Sequence, residues 1–364
     1  MATETKRLAS LDALRGFDML FIIGLAPLIV HLCAMIPGTE WLSEQMTHVE
    51  WNGWRHHDTI FPLFLFLAGV SFPFSHAKSM GKGISRNGEY KKILKRWLAL
   101  IAFGIIYNNF FQFQFNNLRF YSVLGRIGTA WAIAAVLFIN FKPKARALIA
   151  ILILLGYRAL CWIPAPDVPN ADPLSMEGCL VGYIDRCIMP GHLHKPNFDP
   201  EGLLSTLPAI VTAMLGIFTG EYVRQARAAG GKKTLVMIAA AAAMLALGYL
   251  WNLEFPINKK LWTSSFVLVC GGYSLACFAV FYWIIDVKGW SRWAFPLQVV
   301  GMNSITIYLA ARVIDFYPTS KFFFGGFASL CPEHLGKVII YLGILLLEWL
   351  LLYFLYRKKI FLKV

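Results

Sequence analysis

Hydrophobic residues fall along this chain in long blocks, without the two- or three-to-four-residue periods of half-buried strands and helices. Mostly apolar runs recur near 14–36, 59–77, 93–111, 121–140, 145–163, 203–223, 234–250, 262–285, 293–314 and 336–356. At roughly 17 to 25 residues each, they match the length a helix needs to cross the hydrocarbon core. Lipid offers no partner for open backbone groups, and the alternation of barrel strands is absent. The pattern therefore predicts an all-α membrane bundle of about ten transmembrane helices. Two of the polar stretches between them are long, about 37–58 and about 164–202. Their Trp, His, Gly and Pro content argues for order and function.

Composition strengthens this picture, since 58% of the 364 residues are hydrophobic and only 15% are charged. A soluble domain carries about 25% charged residues. A bundle of apolar helices needs no linker, so residues 1–364 are expected to form a single transmembrane unit. The net charge of +14 sits in short clusters between the apolar runs, a topology signal that gives no reason to expect a nucleic-acid partner. With a cytoplasmic N-terminus, the inside segments hold Lys6, Arg7 and Arg15, the seven basic residues from Lys78 to Arg96, Lys142, Lys144 and Arg146, and Arg224, Arg227, Lys232 and Lys233. Lys288, Arg292, Arg357, Lys358, Lys359 and Lys363 bring the total to 23 of the 34 Lys and Arg. This is the positive-inside bias, and it places both termini in the cytoplasm. The outer loops are the acidic ones, with Glu40, Glu44 and Glu50 in the first and Asp167, Asp172, Glu177, Asp185, Asp199 and Glu201 in the third. The first apolar run is too long for a cleavable signal peptide, so the N-terminus is expected to stay attached. Seven cysteines show no C-x-x-C spacing, and no metal site or disulfide framework follows. Cys179 and Cys187 are the pair that an oxidising exterior could join.

Candidate chemistry concentrates where the first outer loop enters the second span. Thr47-His48-Val49-Glu50-Trp51-Asn52-Gly53-Trp54-Arg55-His56-His57-Asp58 brings imidazole, carboxylate, amide and indole to one membrane entrance. A histidine held by a carboxylate is a general base at neutral pH, suited to deprotonating an amine or hydroxyl as it attacks a thioester. The alternative is an interfacial aromatic belt with polar loop residues. A metal at His56-His57-Asp58 is not expected, because adjacent ligands rarely converge on a tetrahedral ion. Asp18 and Arg126 lie at membrane depth, where charges face a cavity or one another. For Asp18 a structural ion pair is an equal alternative, whereas Arg126, flanked by Gly125 and Gly128, reads as a cavity residue. Asn303 and Ser304 place an amide and a hydroxyl in the ninth span, where interhelix packing is the commonest use. The basic segment Lys78–Arg96 is a candidate for holding phosphates, with lipid contact or topology as its alternatives.

These residues stand in an ordered series of motifs. Arg7-Leu8-Ala9-Ser10-Leu11-Asp12-Ala13-Leu14-Arg15-Gly16, His48-x-x-Trp51-Asn52-Gly53, Asp58-x-x-Phe61-Pro62 and Leu124-Gly125-Arg126-Ile127-Gly128 come first. Gly182-Tyr183-Ile184-Asp185-Arg186, Asp199-Pro200-Glu201-Gly202, Asn258-Lys259-Lys260-Leu261-Trp262, Asp286-Val287-Lys288-Gly289, Gly301-Met302-Asn303-Ser304 and Tyr356-Arg357-Lys358-Lys359-Ile360-Phe361 follow. Over nearly its whole length the chain resembles the heparan-alpha-glucosaminide N-acetyltransferase family, which has lysosomal and bacterial members. The resemblance implies a transferase that takes acetyl from cytosolic acetyl-CoA, its co-substrate, to the amine of a terminal glucosamine across the membrane. It implies that His48 is the essential base or acyl carrier. Asp58 would then support the imidazole, while Arg126, Asn303 and Ser304 would line the path of acetyl-CoA. Trp51, Asn52, Asp185 and Asp199 are expected to contact the acceptor. Ala26 stands where the family's lysosomal member has an asparagine linked to its active site, so acceptor choice is expected to differ. The missing N-terminal luminal domain and the absence of any N-x-Ser/Thr sequon favour a bacterial cytoplasmic (inner) membrane. An O-acyltransferase of envelope polysaccharide is the nearest alternative, and a non-catalytic sugar or lipid transporter is the alternative from another class. Membrane lipid is an expected partner, and a homo-oligomer follows by analogy alone.

Overall fold

The computed structural model describes residues 8–111 and 114–362. Lys6, Arg7 and Lys363, three of the cations that set the expected topology, lie outside the described residues. The architecture is all-helical. In chain order the helices are α1 (Ala9–Cys33), α2 (Glu40–Gln45), α3 (His56–Gly81), α4 (Arg86–Asn109), α5 (Val123–Asn140), α6 (Pro143–Leu160) and α7 (Leu180–Ile188). They continue with α8 (Thr206–Gln225), α9 (Gly230–Trp251), α10 (Ser264–Val287), α11 (Arg292–Met302), α12 (Ser304–Val313), α13 (Phe316–Ser329) and α14 (Glu333–Arg357).

Among the described residues seven helices are long and apolar enough to cross a membrane, or eight if α11 and α12 form one bent span. The expected count of ten is not reached. The runs near 93–111 and 145–163 are helical, as α4 and α6, but Lys92, Lys95 and Arg96 in the one and Lys144, Arg146 and Arg158 in the other make them less apolar. The run near 293–314 is broken: α11 and α12 meet at 59°, with Asn303 out of the helical region at φ −124° and ψ 28°. α1 is interrupted as well, by a π-helical turn at Phe21–Leu25 in which Gly24 takes φ 149°.

Helix starts follow local chemistry. The Ser85 and Ser122 hydroxyls accept the N–H groups of Gly88 and Gly125 at the heads of α4 and α5, and Thr263 does the same for Phe266 at α10. Such caps satisfy donors that have no partner within the helix. At α3 the cap is Asp58, whose Oδ2 accepts the N–H of Arg55 at 3.0 Å. A carboxylate needed by the helix start is thereby fixed beside the first outer loop.

Two crossings set the shape of the interior. A Cβ on Gly16 would stand 1.8 Å from the Leu297 carbonyl oxygen, and one on Gly301 would stand 1.8 Å from that of Asp12, so α1 and α11 meet backbone to backbone. Gly216 of α8 is equally tight against α3, where a Cβ would lie 2.0 Å from the Phe66 carbonyl oxygen. Ordinarily Gly→Ala inside a helix stabilises by about 0.5–1 kcal/mol. Here Gly216→Ala is expected to reverse that sign and cost about 1–3 kcal/mol through overpacking. A lower thermal unfolding midpoint in detergent checks it; an equal or higher midpoint contradicts the crossing.

Candidate active site

Because α3 begins at His56 and the loop before it folds back over its start, His48 and Asp58 meet although they are ten residues apart. His48 Nδ1 lies 2.7 Å from Asp58 Oδ1. The Asp58 side chain is 1% exposed and that of His48 is 52% exposed, so the carboxylate is a buried fixture and the imidazole is reachable. Asp58 Oδ2 also accepts the N–H of Val49 at 3.4 Å. With Nδ1 donating to Asp58, Nε2 is left with a lone pair. The His57 ring stands 4.6 Å from that of His48, and Lys259 Nζ reaches within 3.4 Å of Asp58 Oδ1.

A cavity of about 770 Å³ opens at this cluster. His48, His57, Lys259 and Glu201 line one end, and Asp12, Arg15, Lys78, Arg96, Leu8 and Leu362 line the other. His57 and Lys78 lie 21 positions apart in α3, which at about 1.5 Å per residue is about 30 Å, the thickness of the hydrocarbon core. Apolar side chains, among them Phe61, Phe64 and Leu100, line the cavity between its ends. The Arg96 guanidinium lies over the Trp131 ring at 4.1 Å, and its buried Nε has no hydrogen-bond partner. Such cations facing a cavity suit an anion with several oxygens.

Ser304 joins His48 on the cavity wall. Arg126 is buried on α5, between the cavity residues Leu124 and Ile127 in the chain: Nη2 donates to the Gly202 carbonyl at 3.1 Å and to the Ser205 hydroxyl, while Nε and Nη1 have no partner. Asn303 is buried at the α11–α12 bend, where its carbonyl oxygen accepts from Thr306 at 3.3 Å. Trp51 lines a separate cleft of about 480 Å³ with Glu50, Glu177, Lys195 and Lys260, and its indole N–H donates to the Leu174 carbonyl at 2.8 Å. Asn52 Oδ1 accepts from Asn258 at 3.2 Å.

Asp185 and Asp199 lie buried in the long segment between α6 and α8. Asp185 Oδ1 accepts from the Tyr121 hydroxyl at 3.0 Å and from the Leu203 N–H at 2.8 Å, yet burial pushes this carboxyl up to about 6. Burial also opposes ionisation of Asp199, but the bidentate hydrogen bonds and charge of Arg119 outweigh it and hold that carboxyl below its ordinary range. Glu201, which shares Arg119 with Asp199 at 2.5 Å, is pushed upward by burial. Lys259 is pulled below its ordinary range, first by burial, with Asp58 opposing.

Glu201 and Lys259 line the cavity beside His48 although the sequence assigns neither a role at the site, and His57 is weighed there only with His56 and Asp58 as a metal ligand. Lys259 stands in the motif Asn258-Lys259-Lys260-Leu261-Trp262, but nothing in that motif alone assigns it a role at the site. Its partners are some two hundred positions away in the chain.

Comparison with known proteins agrees with the motif series. The family model described as heparan-alpha-glucosaminide N-acetyltransferase, catalytic, matches residues 7–251. The heparan-alpha-glucosaminide N-acetyltransferase of Homo sapiens is 28% identical over 98% of this chain, and the match covers 60% of that protein. That of Mus musculus is 28% identical over 99% of this chain, with 62% covered. The chain thus spans less than two thirds of the length of the curated relatives it matches.

Proposed function

The chain belongs to the heparan-alpha-glucosaminide N-acetyltransferase family, and from that premise we propose that it carries acetyl from acetyl-CoA on one side of a membrane to the amine of a glucosamine-containing saccharide on the other. The observation that supports this most is the single cavity with cations at one end and the His48–Asp58 pair at the other, about a bilayer core apart. Arg15, Lys78 and Arg96 receive the phosphates of the donor, and the apolar middle takes its arm. The thioester then comes to His48 without the nucleotide crossing the membrane. The cationic end, where Leu8 and Leu362 also lie, is the cytoplasmic one, and the host membrane is the bacterial inner membrane.

At the other end Asp58 keeps Nδ1–H and leaves Nε2 to act. In one route Nε2 takes the proton of the acceptor amine as its nitrogen attacks the thioester carbon and the C–S bond breaks. In the other, Nε2 itself forms the bond to the acyl carbon as the C–S bond breaks and CoA leaves as its thiolate; the amine then attacks that carbon, the Nε2–C bond breaks, and the freed Nε2 takes the amine proton. Both routes need an imidazole of fixed tautomer, which a buried carboxylate supplies. Ser304 lies on the donor path. Arg126 and Asn303 shape that path, Arg126 by holding Gly202 and Ser205 next to the cavity residue Glu201. Trp51, at the edge of the outer cleft, contacts the acceptor, and Asn52, Asp185 and Asp199 hold the loops around it.

Acetyl transfer from radiolabelled acetyl-CoA to glucosamine by the purified protein tests the reading. Labelled N-acetylglucosamine is the expected product; no transfer by folded protein that binds CoA would overturn the amine acceptor, and no CoA binding would overturn the donor. Arg96→Ala is expected to raise the KM for acetyl-CoA about 10- to 100-fold, the loss of one charge-assisted contact. The KM for acetyl-pantetheine, which lacks the nucleotide phosphates, should hardly change. Equal losses with the two donors would contradict a phosphate role for this end.

A further inference from the structure

Lys259 lies on the segment between α9 and α10, yet its Nζ stands 3.2 Å from His48 Nδ1 and 3.4 Å from Asp58 Oδ1. The approach is built into the backbone. The Gly53 N–H donates to the Ile257 carbonyl at 2.7 Å, Asn258 donates to Asn52, and Lys260 donates to the Glu50 carbonyl. The lysine segment is thus tied to the His48 loop on both sides of Lys259.

An ammonium group has three N–H donors and no lone pair. It cannot compete with Asp58 for the proton on Nδ1, so it meets the imidazole as a fixed positive charge while donating to the carboxylate. Asp58 at 2.7 Å favours positive charge on the ring, and Lys259 at a similar distance disfavours it, the two effects being opposite in sign. The other charged or titratable groups around the ring are His57 on α3, Arg55, whose Nη1 reaches the His48 carbonyl at 3.4 Å, and Glu201 on the cavity wall.

We propose that Lys259 is a positioning residue of the reaction: paired with Asp58, it offsets the pull of the carboxylate on His48, so that positive charge built on the ring during transfer is passed on and not held there. The inference rests on the acetyl-transfer reading and applies to both routes, since a protonated and an acetylated imidazole carry the same charge.

The test is the pH profile of kcat/KM for acetyl transfer with Lys259→Met, Lys259→Gln and Lys259→Arg, read beside peptide-resolved carbethoxylation of His48 against pH. Without the ammonium the ring takes up its proton more readily. The acidic limb of the rate profile and the carbethoxylation midpoint should both move to higher pH by about one unit in the Met and Gln variants. Lys259→Arg, which keeps the charge, should return both to the wild-type position. Unmoved midpoints in the neutral variants, or a midpoint moved as far in Lys259→Arg, would overturn the proposal. The carbethoxylation profile needs no turnover, so it decides on Lys259 even if the wild-type protein transfers no acetyl, a result that would overturn the acetyl-transfer reading separately. If Lys259→Met fails to fold, the Gln variant, which retains a donor to Asp58, carries the test.

Discussion

Replacing His48 with alanine is expected to lower acetyl transfer by at least about 10³-fold, because the variant loses the group that takes the amine proton or carries the acetyl. The fold should survive. The His48 side chain is half exposed, and the buried Asp58 keeps the Arg55 N–H and Lys259 as partners, so the loss of its bond to His48 should cost no more than about 1–3 kcal/mol. The KM for acetyl-CoA should stay near its wild-type value, since the cations of the cavity lie at its far end. Radiolabelled transfer assays on detergent-purified protein, with the unfolding midpoint as control, measure both. Retention of more than a tenth of the wild-type rate would remove His48 from the chemistry.

The second large effect is expected at Asp58. Asp58→Asn preserves the helix cap, because an amide oxygen accepts the N–H groups of Arg55 and Val49 much as the carboxylate does. It removes the charge and offers an amide N–H where His48 Nδ1 needs an acceptor, which favours the wrong tautomer. A loss of about 10²- to 10⁴-fold in kcat with little change in stability is the expected pattern. Asp58→Ala should lose both rate and stability, the latter by about 1 kcal/mol for the missing cap. If Asp58→Asn kept its full rate, the carboxylate would be a capping residue and nothing more.

Much of the fold was legible because membrane burial writes itself into long blocks of residues. The run near 59–77 lies inside His56–Gly81, and the run near 203–223 overlaps Thr206–Gln225. What block length cannot carry is a local break. Asn303 bends the run near 293–314 into two helices, and Gly24 lets α1 form a π-helical turn, yet both lie in stretches as apolar as their neighbours. The short helices α2 and α7 sit inside segments that polarity alone marked as loops. Block length also leaves the count of ten unconfirmed, since α4 and α6 place cations within helices whose other residues look membrane-like.

The His48–Asp58 pair was visible for a related reason. Ten residues separate the two, and the start of a helix brings them together, so sequence proximity and spatial proximity coincide. Lys259 comes from more than two hundred positions away, and no local pattern reports a contact made by the folding of the whole bundle. Arg126 illustrates a different case: an arginine at membrane depth was expected to face a cavity, and what the sequence could not show is that one of its nitrogens, Nη2, holds the Gly202 carbonyl and the Ser205 hydroxyl next to the cavity residue Glu201.

Transfer across the membrane is the central claim, and sidedness tests it most directly. The protein is reconstituted in sealed vesicles, its orientation is read from protease access to the tail after α14, glucosamine is trapped on the face away from the chain ends, and acetyl-CoA is supplied only to the face that bears them. The expected result is N-acetylglucosamine accumulating in the sugar compartment while CoA is released in the other, and none of it with His48→Ala. Product that forms only when donor and sugar share a compartment would contradict a cavity that carries acetyl through the bilayer.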